Sequence, residues 1–146
     1  MLKENCFKIV PVDQQNSTSE IGTSGENFVA DWLQTQGVTI LARNWTCRSG
    51  ELDLVAQMQD QVVAFVEVKT RSRGNWDNCG ASAITAAKQR KIITAAKLFL
   101  LKHPHLAHLA CRFDVALVRK RGNPRTSPHL TKNQFVLQDY ICDAFF

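Results

Sequence analysis

The sequence predicts an α/β domain in which one mixed sheet lies between helices. Three observations carry that expectation. Two segments, Thr23 to Gly37 and Ser82 to Lys102, show the apolar stripe of an amphipathic helix. Five short runs of strand length flank them, three before the second helix and two after it. Finally, Val62 to Val66 is continuously apolar, which marks a central strand buried on both faces. At 146 residues the chain can build one core, and the order helix, three strands, helix, two strands suits a layered sandwich.

In chain order, residues 1–20 show no core face and read as a flexible or accessory extension ahead of a domain spanning 21–146. Thr23 and Glu26 fit a capping box, Phe28, Val29, Trp32 and Leu33 form the stripe, and Gly37 ends the helix in the C′ position. Residues 38–45 read as a strand, and Arg48-Ser49-Gly50 as a turn. Glu51 to Ala56 and Val62 to Thr70 then form a hairpin joined by the polar Gln57–Gln61 stretch. A loop over Arg71–Gly80 precedes the second helix, whose stripe is Ile84, Ile92, Ala95, Ala96 and Phe99. Strands follow near Cys111–Val118 and Gln134–Leu137. The apolar tail Tyr140–Phe146 is expected to pack as a last helical turn.

Composition narrows the function classes. No apolar run approaches the roughly 20 residues that cross a bilayer, and the N-terminus lacks a signal peptide's apolar core. No membrane association and a cytoplasmic location are the expectation. Five scattered cysteines, an odd number, read as reduced thiols that are mostly packed like small apolar residues. His103, His105 and His108 read as an exposed loop after the helix rather than a metal site. The net charge of +5 is unevenly spread. Residues 1–60 carry 4 Lys or Arg against 8 Asp or Glu, whereas 61–146 carry 14 against 5. A segregated basic half points to a polyanion, of which nucleic acid is the commonest.

The hairpin carries the chemistry. With the turn centred near Asp60, Asp53 faces Glu67, Val55 faces Phe65 and Glu51 faces Lys69. Carboxylates opposed ~5 Å apart repel by roughly 3 kcal/mol at an effective dielectric near 20. They are avoided unless a proton, a cation or a metal sits between them. Lys69 lies on the same face and supplies part of the compensation, and oxygen ligands with vacant positions suit Mg²⁺. A strand that is simply surfacing explains Glu67-Val68-Lys69 equally well by spacing alone. The site reading gains from the company of Val55 and Phe65, which places the carboxylates on a helix-covered face.

Gly25-Glu26, Arg43-Asn44, Gly50-Glu51-Leu52-Asp53-Leu54, Phe65-Val66-Glu67-Val68-Lys69-Thr70-Arg71, Lys88, Phe113-Asp114-Val115 and Asp143-Ala144-Phe145 resemble the YraN-like family of small bacterial proteins. That family is similar to the PD-(D/E)XK nuclease superfamily, notably archaeal Holliday-junction resolvases. Leu52 stands where the superfamily motif has Pro. The resemblance implies a restriction-endonuclease-like three-layer α/β/α sandwich with a central mixed β-sheet. It implies Asp53 and Glu67 as ligands of Mg²⁺ or Mn²⁺, joined by the Val68 carbonyl. It further implies Lys69 as the group that positions the attacking water and Glu26 as an added carboxylate. The reaction implied is metal-dependent phosphodiester hydrolysis in nucleic acid, structure-selective and on DNA ahead of RNA. By the same analogy a homodimer would suit a two-fold branched junction.

Other residues are ranked around this centre. Glu26 is explained by capping as well as by catalysis. Glu51 is expected to pair with Lys69 at the surface, and Asp114 to have a structural role. Lys88 falls on the second helix's apolar stripe and is expected to reach the edge of the site. Arg90 and Lys91 lie off that stripe and read as solvated. Arg71, Arg73 and Lys88, then Arg119, Lys120 and Arg121, are the expected phosphate contacts. Trp76 is a candidate for base stacking, with loop packing as the alternative. Two other readings remain open: a non-catalytic nucleic-acid-binding module of the same fold, and a protein-interaction factor.

Overall fold

A computed structural model of the chain describes residues 25–71, 84–121 and 135–146. Helix α1 (Gly25–Thr35) leads into strands β1 (Thr39–Cys47), β2 (Gly50–Gln57) and β3 (Val63–Arg71). Helix α2 (Ala86–Lys102) and a 3₁₀ turn at Pro104–Leu106 precede β4 (Cys111–Lys120) and β5 (Phe135–Phe145). The five strands form one sheet in sequence order, with β3 and β4 parallel and the other neighbours antiparallel. This is the mixed sheet of a restriction-endonuclease-like α/β fold. The extension over residues 1–20, Thr23, Arg73 and Trp76 lie outside the described residues.

Each helix covers one face. Val29, Ala30, Trp32 and Leu33 of α1 pack on Leu54, Ala56, Ala64, Val66, Val68, Ala116 and Val118. Ile92, Ala95, Ala96 and Phe99 of α2 pack with Val55, Val63, Phe65, Val115 and Leu117 on the other face. The period-2 alternation of β2, β3 and β4 therefore supplies both cores at once, as the apolar run of β3 predicts. The α1 terminus is closed as expected: Gly37 takes φ +79°, and the N–H groups of Gly37 and Val38 donate to Gln34 and Leu33. Helix α2 starts later than its stripe suggests. Thr85 caps it by accepting the Lys88 N–H at 3.2 Å, so Ile84 is buried just ahead of the helix.

The tail departs from expectation. Tyr140–Phe145 is not a helical turn but the continuation of β5, paired along β4 from Lys120↔Phe135 to Phe113↔Phe145. A short apolar run is ambiguous between helix and strand, and here the open edge of β4 decides. A bulge hides the strand's period, because three residues of β5, Cys142 to Ala144, stand against Asp114 alone. Asp143 takes φ 49° there, and its N–H donates to Asp114 Oδ1 at 2.9 Å. Asp114 is fully buried and also accepts from Tyr140 Oη at 2.8 Å and from Arg112 Nε at 3.1 Å. Its role is to stitch the bulge into the sheet. Burial raises the Asp114 carboxyl, and its three donors oppose that rise.

Candidate active site

The hairpin register matches the expected one. Leu54↔Val66, Val55↔Phe65, Ala56↔Ala64 and Gln57↔Val63 are the paired residues, and the pairing stops there. Asp53 and Glu67, next in line, are not a ladder pair because the strands part at this point. The Val68 N–H, which would otherwise continue the ladder toward Leu52, donates to Asp53 Oδ2 at 2.8 Å. The alternation of β2 also breaks here. Leu54 packs under α1, whereas Leu52, only two residues away, packs under α2. Across β1, Asn44 accommodates the same twist with φ 47°. Asp53 thus sits where one strand turns over and leaves its neighbour, so its side chain replaces a backbone partner.

Glu67 is 4% exposed, and two ammonium groups converge on its Oε1: Lys69 at 3.2 Å from its own strand and Lys88 at 3.4 Å from the first turns of α2. Lys69 and Lys88 each keep about a third of their side chains in solvent, so the cluster opens outward. Lys88 reaches the site because the Thr85 cap sets the first turn of α2 beside the end of β3. Burial, followed by the charge of Glu67, pushes the Asp53 carboxyl up to about 7. The Val68 N–H and Lys88 pull the other way, while Glu26 adds to the rise.

Glu26 therefore lies within electrostatic reach of Asp53. Its position follows from Gly25, whose lack of a Cβ lets α1 start against Thr70; a Cβ there would collide with Thr70 Oγ1. Yet among the described residues no three His, Cys, Asp or Glu are grouped closely enough to hold a cation. The donor set is the carboxylate pair. Its hard oxygens are of the kind that suits a cation retaining several waters, and the bonds described above engage Asp53 Oδ2 and Glu67 Oε1. Val68 enters the site as a backbone donor to Asp53. Glu51 is exposed beside Thr46, and Lys69 pairs with Glu67 in its place, because the parting of β2 from β3 removes the expected Glu51 contact.

Arg71 and Arg119 are aligned partners at the adjoining ends of β3 and β4, with Lys120 and Arg121 just beyond, all exposed. The structure brings this row to the same end of the sheet as Lys69. His103 stacks on Phe99 at 4.0 Å, with Nδ1 2.8 Å from the Phe99 carbonyl oxygen, and His105 and His108 are exposed. Cys47 and Cys142 are half-buried thiols, whereas Cys111 is exposed at the start of β4. Arg90 and Lys91 are exposed, as the sequence reading has them, and they line a shallow depression with Ser49, Ala87 and Thr94.

Residues 25–118 match uncharacterised protein family UPF0102. The chain belongs to this YraN-like family. UPF0102 relatives run along nearly its whole length. A Nostoc sp. protein is 49% identical over 130 residues, covering 86% of this chain and 93% of its own. One from Thermosynechococcus vestitus is 50% identical over 125 residues, covering 86% and 93%. A Synechococcus sp. protein is 46% identical over 135 residues, covering 92% and 96%. The family match begins at Gly25 and includes Asp53, Glu67, Lys69 and Lys88, but ends before β5. No helix among the described residues is long and apolar enough to cross a membrane.

Proposed function

We propose that this UPF0102 protein is a metal-dependent nuclease that hydrolyses phosphodiester bonds, with DNA as the preferred substrate. The observation that carries the reading is a pair of buried carboxylates at a break in the hairpin, with two part-exposed ammonium groups at one of them. A buried like-charge pair is costly unless a cation or a proton relieves it, and such arrangements cluster at functional sites. Asp53 and Glu67 would hold Mg²⁺ or Mn²⁺. When bound, the ion supplies Lewis acidity toward a phosphate oxygen and offsets the charge that develops in hydrolysis.

The chain's own groups divide the remaining work. The Val68 N–H fixes the Asp53 carboxylate, so its second oxygen keeps one direction. Lys69, on the same face as Glu67, orients the attacking water and meets the negative charge on the pentavalent phosphorus. Lys88 takes a non-bridging oxygen of the scissile phosphate, and Arg71 with Arg119 holds the strand on the β4 side. The test is a panel of duplex, single-stranded, flap and four-way-junction substrates with Mg²⁺ or Mn²⁺. Cleavage by wild type that disappears in Asp53→Ala, Glu67→Ala and Lys69→Ala supports the reading. Undiminished cleavage in all three eliminates it.

The double contact at Glu67 favours a second reading. Two ammonium groups already neutralise that carboxylate, as they would in a site that binds nucleic acid without cutting it. Binding that strengthens on removal of Mg²⁺, with no cleavage of any substrate form, would select it.

A further inference from the structure

The basic depression beside α2 has no part in the chemistry above. Its walls are Ala87, Arg90, Lys91 and Thr94 on one flank of the helix and Ser49 in the β1–β2 turn, and it holds about 310 Å³. Gly50, at φ +146°, folds the turn against the helix, and a Cβ there would lie 3.7 Å from the Lys91 Cβ. Arg90 and Lys91 are exposed, and among the described residues neither has an acidic partner, in contrast to Lys69 and Lys88. Among the described residues no acidic side chain lines the depression. Arg48, the residue before Ser49 in the same turn, is exposed.

Its place in the fold matters as much as its charge. The β1–β2 turn lies at the end of the sheet where β2 begins and β3 finishes, which is the end that carries Asp53 and Glu67. Lys91 is three residues beyond Lys88 on α2, so the two side chains stand about 5–6 Å apart at Cβ. That step is of the order of the separation between neighbouring phosphates in a strand. Three sets of cations thus cross the end of the sheet in sequence: Arg71 and Arg119, then Lys69 and Lys88, then Lys91 and Arg90 by the turn. Clustered cations without acidic partners among the described residues suit an anionic partner, since their like charges add to a local positive potential.

We infer that the depression formed by Ser49, Arg90, Lys91 and Thr94 is a second phosphate subsite, which holds the nucleic-acid backbone next to the scissile position. It rests on the proposed function and extends it, by defining the path of the strand across α2 toward the β1–β2 turn. Arg90 and Lys91 make the charged contacts. The Ser49 hydroxyl donates to a phosphate oxygen, while Thr94 already donates to the Arg90 carbonyl at 2.9 Å and acts as wall. Such contacts position a strand and read no sequence.

The test is equilibrium binding of a labelled DNA duplex, its single strand and an RNA strand of equal length to the full chain without divalent metal, across a salt series. Wild type is compared with the double variant Arg90→Ala/Lys91→Ala and with Arg90→Lys/Lys91→Arg. Loss of two phosphate contacts should weaken binding several-fold, uniformly across sequences, and flatten the slope of log affinity against log salt by about 2. The charge-conserving variant should restore the slope. An unchanged slope and affinity in the alanine variant, with wild type binding well, overturns the subsite and leaves the proposed function standing. Wild type that binds none of the three probes overturns both. Displacement of the probe by inorganic phosphate at equal phosphate concentration would mark an isolated anion site and overturn the strand contact.

Discussion

Asp114 and Asp53 are both buried in the one sheet, at 0% and 8% exposure, and their surroundings are opposite. Three donors reach Asp114, from Arg112, Tyr140 and the Asp143 backbone, and no acidic group is set against it. Asp53 has one backbone donor and faces Glu67, with Glu26 in reach. Burial raises both carboxyls, so burial by itself does not distinguish them. The difference lies in what the protein supplies to satisfy the charge. At Asp114 the donors complete a structural bulge. At Asp53 and Glu67 the described donors are one backbone N–H and two lysines that are each about a third exposed, and this contrast is what the proposed function rests on.

The comparison can be tested from its strongest side downward. Asp114→Ala should cost about 3–5 kcal/mol of folding stability in urea unfolding, because it removes the fully buried acceptor shared by Arg112, Tyr140 and the Asp143 N–H. Lys69→Ala should instead leave stability near wild type while lowering metal-dependent cleavage ~10²–10³-fold. If Asp114→Ala folded normally, or Lys69→Ala unfolded the protein, the division between structural and chemical carboxylate clusters would fail.

Asp53→Asn probes the sign of the charge effect. A carboxyl raised from 3.8 to about 7 holds its proton in the folded state where the unfolded chain has released it. Its contribution to stability is therefore present at low pH and is lost as pH rises from about 4 to about 7, then stays constant. Asp53→Asn removes that falling limb and should be more stable than wild type by about 1–3 kcal/mol at pH 8, with the gap closing toward pH 4. For the same reason stabilisation by Mg²⁺ should grow as pH rises through 7, since binding must displace the proton. A pH-independent gap would contradict the opposed-carboxylate description. The smallest expected effect is Tyr140→Phe, which should lower stability by about 1–2 kcal/mol without altering any metal response.

Much of this was legible in the chain. The hairpin register, with Val55 opposite Phe65, follows from period-2 alternation and a polar turn, and it holds up to Leu54 opposite Val66. The two helices follow from their stripes and the α1 terminus from Gly37. Other features were not readable, because they depend on partners distant in sequence. Lys88 shows only its place on a stripe until the Thr85 cap brings it to Glu67. Arg90 and Lys91 look like ordinary solvated charges until the β1–β2 turn closes a wall across from them.

Local pattern by itself determined the two helices and the strands from β1 to β4, because each is set by neighbours a few residues away. Only the tertiary structure decided that β5 continues to Phe145, that β2 and β3 part at Asp53, and that α2 lends its lysine to Glu67. The reason is the same in all three. A backbone edge, an unpaired N–H or a buried charge takes whatever partner the packed chain brings within reach, and sequence spacing does not record that distance.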